Sequence, residues 1–268
     1  MRFPFRAGAA LLAWGVVRPT AFGAGLDRAL VLPAPGGWRR WGDVIALVTS
    51  TLFLCLPLLA VALRGLPGLI DLPAEVLPAA LRSVLVALAS ASLTTGLALS
   101  FALRSGALVE AAATLPLASS GLLLGTGLFL ILQPLLPPMS MALPVTVAVN
   151  VALSLPYLYR LLLPEAQALQ ADYRRLADSL SLQGWARLRW LVLPRLARPL
   201  GFGAGIAAAL SMGDLGVIAL FAAEGQATLP LVVQHLAGAY RVDQAAAAAL
   251  LLVALSFALF WTLDAGGR

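Results

Sequence analysis

Six apolar runs of about twenty residues limit what this chain can become: Val44–Leu63, Ala79–Leu103, Glu110–Gln133, Met141–Leu163, Gly201 to about Ala223, and Ala245–Leu263. About twenty residues of helix rise about 30 Å, the thickness of a bilayer's hydrocarbon core. In lipid, every backbone N–H and C=O must find its partner inside the protein, which a helix achieves within one segment. The expected fold is therefore all-α, a polytopic membrane bundle with about six helices spanning or entering the bilayer. Composition agrees, since 61% of the 268 residues are hydrophobic, 11% are charged, and the mean hydropathy is +0.94. A soluble core is excluded. A seventh apolar stretch, Leu229–Ala239, is too short to cross and reads as a surface or re-entrant helix. Between the runs lie a proline-rich loop (Gly65–Pro78), a turn at Arg104-Ser105-Gly106 and a tight turn at Pro134–Ser140.

Catalytic chemistry finds little support. The lone Cys55 forms no intramolecular disulfide, and the lone His235 leaves no His/Cys cluster for a metal. There is no GKS/T phosphate loop, no HExxH and no GxSxG. A membrane-embedded enzyme would need a polar constellation at one membrane face, and none is visible. The expectation is no catalytic residue, no cofactor and no metal. The net charge of +6, carried by eighteen arginines and no lysine, needs no nucleic-acid partner, because topology accounts for it.

Residues 1–43 form a separate N-terminal segment. Ala7–Val17 is apolar after Arg2 and Arg6 and imitates a signal peptide, but no small-x-small cleavage site with a soluble domain follows. Leu32-Pro33-Ala34-Pro35-Gly36-Gly37, then Trp38-Arg39-Arg40-Trp41, reads as a linker reaching a membrane interface. Residues 44–264 make the transmembrane domain.

The polar exception is Ala171–Leu200, with six arginines (Arg174, Arg175, Arg187, Arg189, Arg195 and Arg198) and two aspartates. Tyr173, Leu176, Ala177 and Leu180 follow helical spacing, Ser181-Leu182-Gln183-Gly184 can turn, and Trp185, Leu188 and Val192 continue on one face. Two short amphipathic helices with a bend between them are expected, lying either on anionic lipid or against another protein. With this island placed in the cytoplasm, eleven arginines fall inside and three (Arg64, Arg82 and Arg241) outside. That positive-inside bias also puts the C-terminus inside.

The island resembles the EAA loop of binding-protein-dependent ABC permeases: Glu-Ala-Ala, three residues, Gly, nine residues, Ile, one residue, Leu-Pro. Placed on Leu193-Pro194 without a gap, the pattern puts Ala177 on its second Ala and Leu191 on its Ile. Arg175 stands for the Glu, Leu176 for the first Ala and Ser181 for the Gly. The run Ser211–Phe221, Thr228-Leu229-Pro230 and Gly238-Ala239-Tyr240-Arg241 is similar to the end of the thiamine permeases, over about Trp41–Leu263, as the C-terminal half of a double-length chain. The resemblance implies a type I ABC importer subunit of the bacterial inner membrane that moves thiamine and its phosphates. Its implied partners are a cytoplasmic ATPase subunit, a periplasmic substrate-binding protein, membrane lipid, and a second permease half or a homodimer mate. Residues 1–43 would be the remnant of a missing first half. The same resemblance admits a permease for ferric iron or another small ion, or an inactive truncated half. By this register the ATPase-coupling loop spans about 171–198, with Arg175, Ala177, Ser181, Gly184, Trp185, Leu188, Leu193 and Pro194 on it.

Asp214 is the only carboxylate deep inside an expected span, where an ionised group costs about 2.5 to 3.5 kcal/mol unless paired or facing water. It either lies on the translocation path with Gly213 and Gly216, where it would meet a cationic substrate, or it is a structural carboxylate bonded through Ser211 or a backbone amide. In the second case the glycines mark close helix packing. Asn150 suits an interhelical hydrogen bond, Glu110 an interface and His235 a packing or interfacial position. Trp185 is either an interface anchor or a contact for the ATPase.

Overall fold

The structure, a computed structural model, describes residues 38–104, 106–132, 134, 138–221 and 226–268. The expectations for residues 1–37, and for residues 135–137 of the turn expected at Pro134–Ser140, lie outside these, and Pro138–Ser140 are already helical. Two units divide between Phe53 and Leu54; of the first, residues 38–53 are described and are helical.

Every regular element among the described residues is helical. In order they are α1 (Trp38–Gly68), α2 (Val76–Arg104), α3 (Ala107–Thr114) with a 3-10 turn (Leu115–Ala118), α4 (Gly121–Leu132) and α5 (Pro138–Ser179). Then follow α6 (Gly184–Arg187) with a π segment (Leu188–Val192), α7 (Leu193–Met212), α8 (Ile218–Phe221), α9 (Leu229–Gly238) and α10 (Val242–Gly266). Four helices, within α1, α2, α5 and α10, are long and apolar enough to cross a membrane, and a fifth crossing exists if α3 and α4 form one broken span. The chain is a multi-pass membrane protein.

α2, α5 and α7 pack together, and α10 lies along α7. Their shared core holds Leu99, Leu155, Leu158, Leu162, Val192, Leu196 and Met212, interleaved with Ala87, Ala91, Ala98 and Ala102. Small residues permit the close approach. A Cβ on Gly201 would fall 2.7 Å from Leu263 O, and one on Gly65 would fall 2.6 Å from Ala246 O, so each helix pair meets backbone to backbone. At the bundle end opposite the polar island, Val76, Ala79 and Ala80 of α2 meet Leu229, Val232 and Leu236 of α9 and Ala245 and Ala248 of α10. Arg82 Nη1 donates to Ala227 O at 2.6 Å there, and Ser83 Oγ accepts from Leu229 N–H at 2.8 Å, fixing the entry to α9.

Two expected spans are broken. Glu110–Gln133 is not one helix: α3 and α4 meet at a 101° bend. Pro116 has no N–H for the helix ladder, and Ser120 caps the new helix by accepting from Leu123 N–H at 3.2 Å. The span expected over Gly201–Ala223 ends at Met212. Gly213 and Asp214 are poor helix formers, and the Asp214 side chain competes for the backbone by bonding Gly216. The fourth expected span, by contrast, does not stop at Leu163. α5 continues to Ser179, 42 residues and about 63 Å, so its last turns extend well beyond a bilayer core.

Candidate functional site

The island folds as a helix, a turn and a second helix, and the turn has a full hydrogen-bonding explanation. At the end of α5, Leu182 N–H donates to Ala177 O at 2.9 Å and Ser181 N–H donates to Asp178 O at 3.2 Å. This is the paired bonding of a Schellman cap, which requires a left-handed residue at the position after the cap. Ser181 occupies it with φ 52°. The glycine of the EAA pattern falls at this position, so the loop makes the same turn with a residue that pays for its Cβ. Gly184 is left-handed as well, with φ 52°, and restarts the chain as α6.

The expected single apolar face splits in two. Ala177, Val192 and Leu196 are buried, and Tyr173, Leu188 and Leu191 are half-buried against the bundle. The Arg195 guanidinium lies 4.7 Å from the Tyr173 ring centroid, a cation–π contact that clamps the second helix to the first. Leu176, Leu180 (60%), Trp185 (69%) and Trp190 (70%) are exposed. Arg175, Ser181, Gly184, Leu193 and Pro194 are exposed too. Of the positions assigned to the coupling loop, then, Ala177 and Leu188 hold it to the bundle while the others remain available to a partner.

A second constellation lies where the two helix breaks come together. A cavity of about 450 Å³ is lined by Pro116, Leu117 and Ser119 from the first break, by Leu153, Ser154 and Tyr157 from α5, and by Leu210, Gly213 and Asp214 from the second. Asp214 Oδ1 accepts from Gly216 N–H at 3.2 Å, an Asx turn, and the Val217 backbone N–H also approaches the carboxylate, while Oδ2 is buried without a hydrogen-bond partner among the described residues. A Cβ on Gly121, the first residue of α4, would lie 4.0 Å from Oδ1, which puts the start of α4 on that side of the carboxylate. Gly213 and Gly216 do not mark tight packing. The nearest atoms to their hypothetical Cβ positions are 3.8 Å away, whereas at Gly65, Gly68, Gly201, Gly205 and Gly267 a Cβ would meet a neighbour under 3.0 Å away.

The Ser211 hydroxyl does not bond the Asp214 carboxylate; the two residues meet through the backbone, where Asp214 N–H donates to Ser211 O at 3.3 Å. Asn150 Nδ2 donates to Ser211 Oγ at 2.8 Å, and Ser211 Oγ donates to Ser90 Oγ at 3.3 Å, a buried chain joining α5, α7 and α2 beneath the cavity. An interhelical role for Asn150 was legible; the partners were not. Ser90, Ser154 and Tyr157 escaped the sequence reading altogether. The Pro116…Ser119-Ser120-Gly121 cluster did carry a break signal that the apolar run around it concealed. Glu110 is exposed in the first turn of α3, and His235 is exposed in the last turn of α9 and not packed.

No family model matches the chain. Curated relatives do, among them the following three. The thiamine transport system permease protein of Brucella abortus (strain 2308) is 31% identical over 242 residues, covering 86% of this chain and 45% of the relative. That of Escherichia coli (strain K12) is 34% identical over 260 residues, covering 86% and 48%. That of Salmonella typhimurium (strain LT2) is 32% identical over 259 residues, covering 86% and 48%. The chain spans about half the length of these relatives. Over 86% of its length the chain is thus similar to the thiamine transport system permease proteins.

Proposed function

We propose that this chain works as the C-terminal permease half of an ABC importer that moves thiamine across the bacterial inner membrane, with its C-terminus and the island in the cytoplasm. ATP hydrolysis belongs to a separate ATPase subunit that docks on the island. A periplasmic binding protein delivers the substrate on the opposite side, and a second permease half or a second copy of the chain completes the pathway. The observation that carries this reading is the island itself. A Schellman turn falls on the EAA register at Ser181, and it presents Leu176, Leu180 and Trp185 outward on a rigid, doubly anchored support. An apolar exposed cluster ringed by arginines suits a groove with an apolar floor and acidic rim better than it suits water. The thiamine specificity of the relatives supplies the substrate.

Co-reconstitution of the chain with its ATPase, binding protein and second half tests this. Trp185→Asp should leave the bundle inserted and abolish thiamine-stimulated ATP hydrolysis and uptake, because a charge would be forced into an apolar contact. Leu188→Asp is a poorer probe, since Leu188 packs against the core and its loss would disturb the fold as well. Full coupling in the Trp185→Asp complex would refute the docking role.

A further inference from the structure

We propose that the cavity between the two helix breaks is a subsite for a flat organic cation, with Asp214 as counter-ion and Tyr157 as the wall on which its ring lies. This deepens the thiamine reading and rests on it for the identity of the natural ligand.

Its size, about 450 Å³, falls in the range of small-molecule sites, and its walls are apolar apart from a few convergent polar groups. Those groups favour positive charge. Among the described residues, Asp214 is the one charged residue lining the cavity, and its Oδ2 is buried with no hydrogen-bond partner. The C-terminal end of α7, through Ala209, Leu210 and Ser211, faces the same space, and its last turn carries no basic residue. A helix C-terminus bears partial negative charge from its unpaired carbonyls, so carboxylate and helix end act in the same sense. The start of α4 lies on the Oδ1 side, where Gly216 already bonds. Among the described residues, no arginine lines the cavity. Discontinuous helices that meet inside a bundle free backbone polar groups and give ligands access to them, the arrangement by which transporters hold charged cargo within the membrane. Tyr157, about half exposed, adds an aromatic face of the kind that attracts a cationic ring.

The test uses the purified chain in lipid nanodiscs and two probes that share a ring: the neutral thiazole alcohol corresponding to thiamine's five-membered ring, and its N-methylated thiazolium cation. Calorimetry should show the cation binding about tenfold more tightly than the neutral ring, the ratio a charge-assisted contact supplies. Asp214→Asn should erase that preference, Asp214→Glu should retain it, and Tyr157→Leu should weaken both probes. Leu117→Trp, which fills the cavity and leaves the carboxylate alone, should abolish binding of either probe and keeps the proposal falsifiable if Asp214→Asn fails to fold. Equal affinity of the two probes for the wild type, an undiminished preference in Asp214→Asn, or unaltered binding in Leu117→Trp would each overturn it. Cation binding by a chain whose reconstituted complex does not transport thiamine would sink the transport reading and leave the subsite standing. Thiamine uptake by a complex whose cavity ignores the ring's charge would do the reverse.

Discussion

Two residues without glycine's freedom hold left-handed backbone at helix ends, Ser181 with φ 52° and Tyr240 with φ 60°. Both close Schellman caps: Arg241 N–H donates to Leu236 O at 3.0 Å, as Leu182 N–H does to Ala177 O at 2.9 Å. A Cβ in this conformation costs about 1 kcal/mol, and the cap bonds offset it. Ser181→Gly should therefore raise the thermal midpoint of the detergent-solubilised chain, by about 0.5–1 kcal/mol of stability. Ser181→Val should lower it by at least about as much, since a β-branched side chain fits the left-handed region worst. Equal midpoints for the three proteins would show that the turn is held by something other than its cap. Asn150→Leu belongs to the same scale. It removes the donor from which the buried Ser211 Oγ accepts and should cost about 1–3 kcal/mol, read as a lower midpoint with the spans still inserted.

At the scale of elements, the bundle is built from helices whose glycines are not equivalent. A Cβ at Gly65 would strike the α10 backbone at Ala246 O, whereas one at Gly96 meets nothing within 4 Å. Gly65→Leu should push α1 from α10 and destabilise the protein by about 1–3 kcal/mol, while Gly96→Ala should be neutral or mildly stabilising through lower backbone entropy in the unfolded chain. Thermal unfolding of the pair decides it; similar losses in both would mean that the α1–α10 contact is loose. Helix direction also makes a prediction about sidedness. Ile70, 89% exposed, lies at the bundle end opposite the island, and Gln183 lies in the island turn. In a Cys55→Ser background, a cysteine at position 70 should react with an impermeant thiol reagent from the periplasmic side and one at position 183 only from the cytoplasmic side. The reverse pattern would invert the orientation that the arginines imply.

For the whole molecule, the proposed function gives a single bundle one wall of a pathway and one docking island. Closed assemblies of such subunits favour two-fold symmetry, which would present two islands to two ATPases and enclose the cavity between halves. Rocking of the halves, biased by nucleotide, then alternates access. Mass measurement of the solubilised complex should find two permease bundles for every two ATPase subunits, and thiamine uptake should vanish when one bundle is withheld. Uptake by a complex containing one bundle would end the two-fold model.

The sequence by itself determined the all-helical, multi-pass character, the cores of the spans in α1, α2 and α10, and the bend at Ser181–Gly184. Each follows from local rules: an apolar run must pair its own backbone in lipid, and a turn needs residues that tolerate its dihedrals. The tertiary structure decided where helices stop and what meets inside. Pro116 and Gly213-Asp214 sit in runs apolar enough to pass for continuous spans, because hydropathy sums over a window and cannot see one missing N–H or one competing carboxylate. α5 runs past Leu163 because Ala166, Leu169 and Tyr173 find the bundle to pack against, and no periodicity states how far a neighbour reaches. The Asn150–Ser211–Ser90 chain joins positions 61 and 121 residues apart in sequence, and only the packing of α2, α5 and α7 brings them within bonding distance and closes the cavity at Asp214.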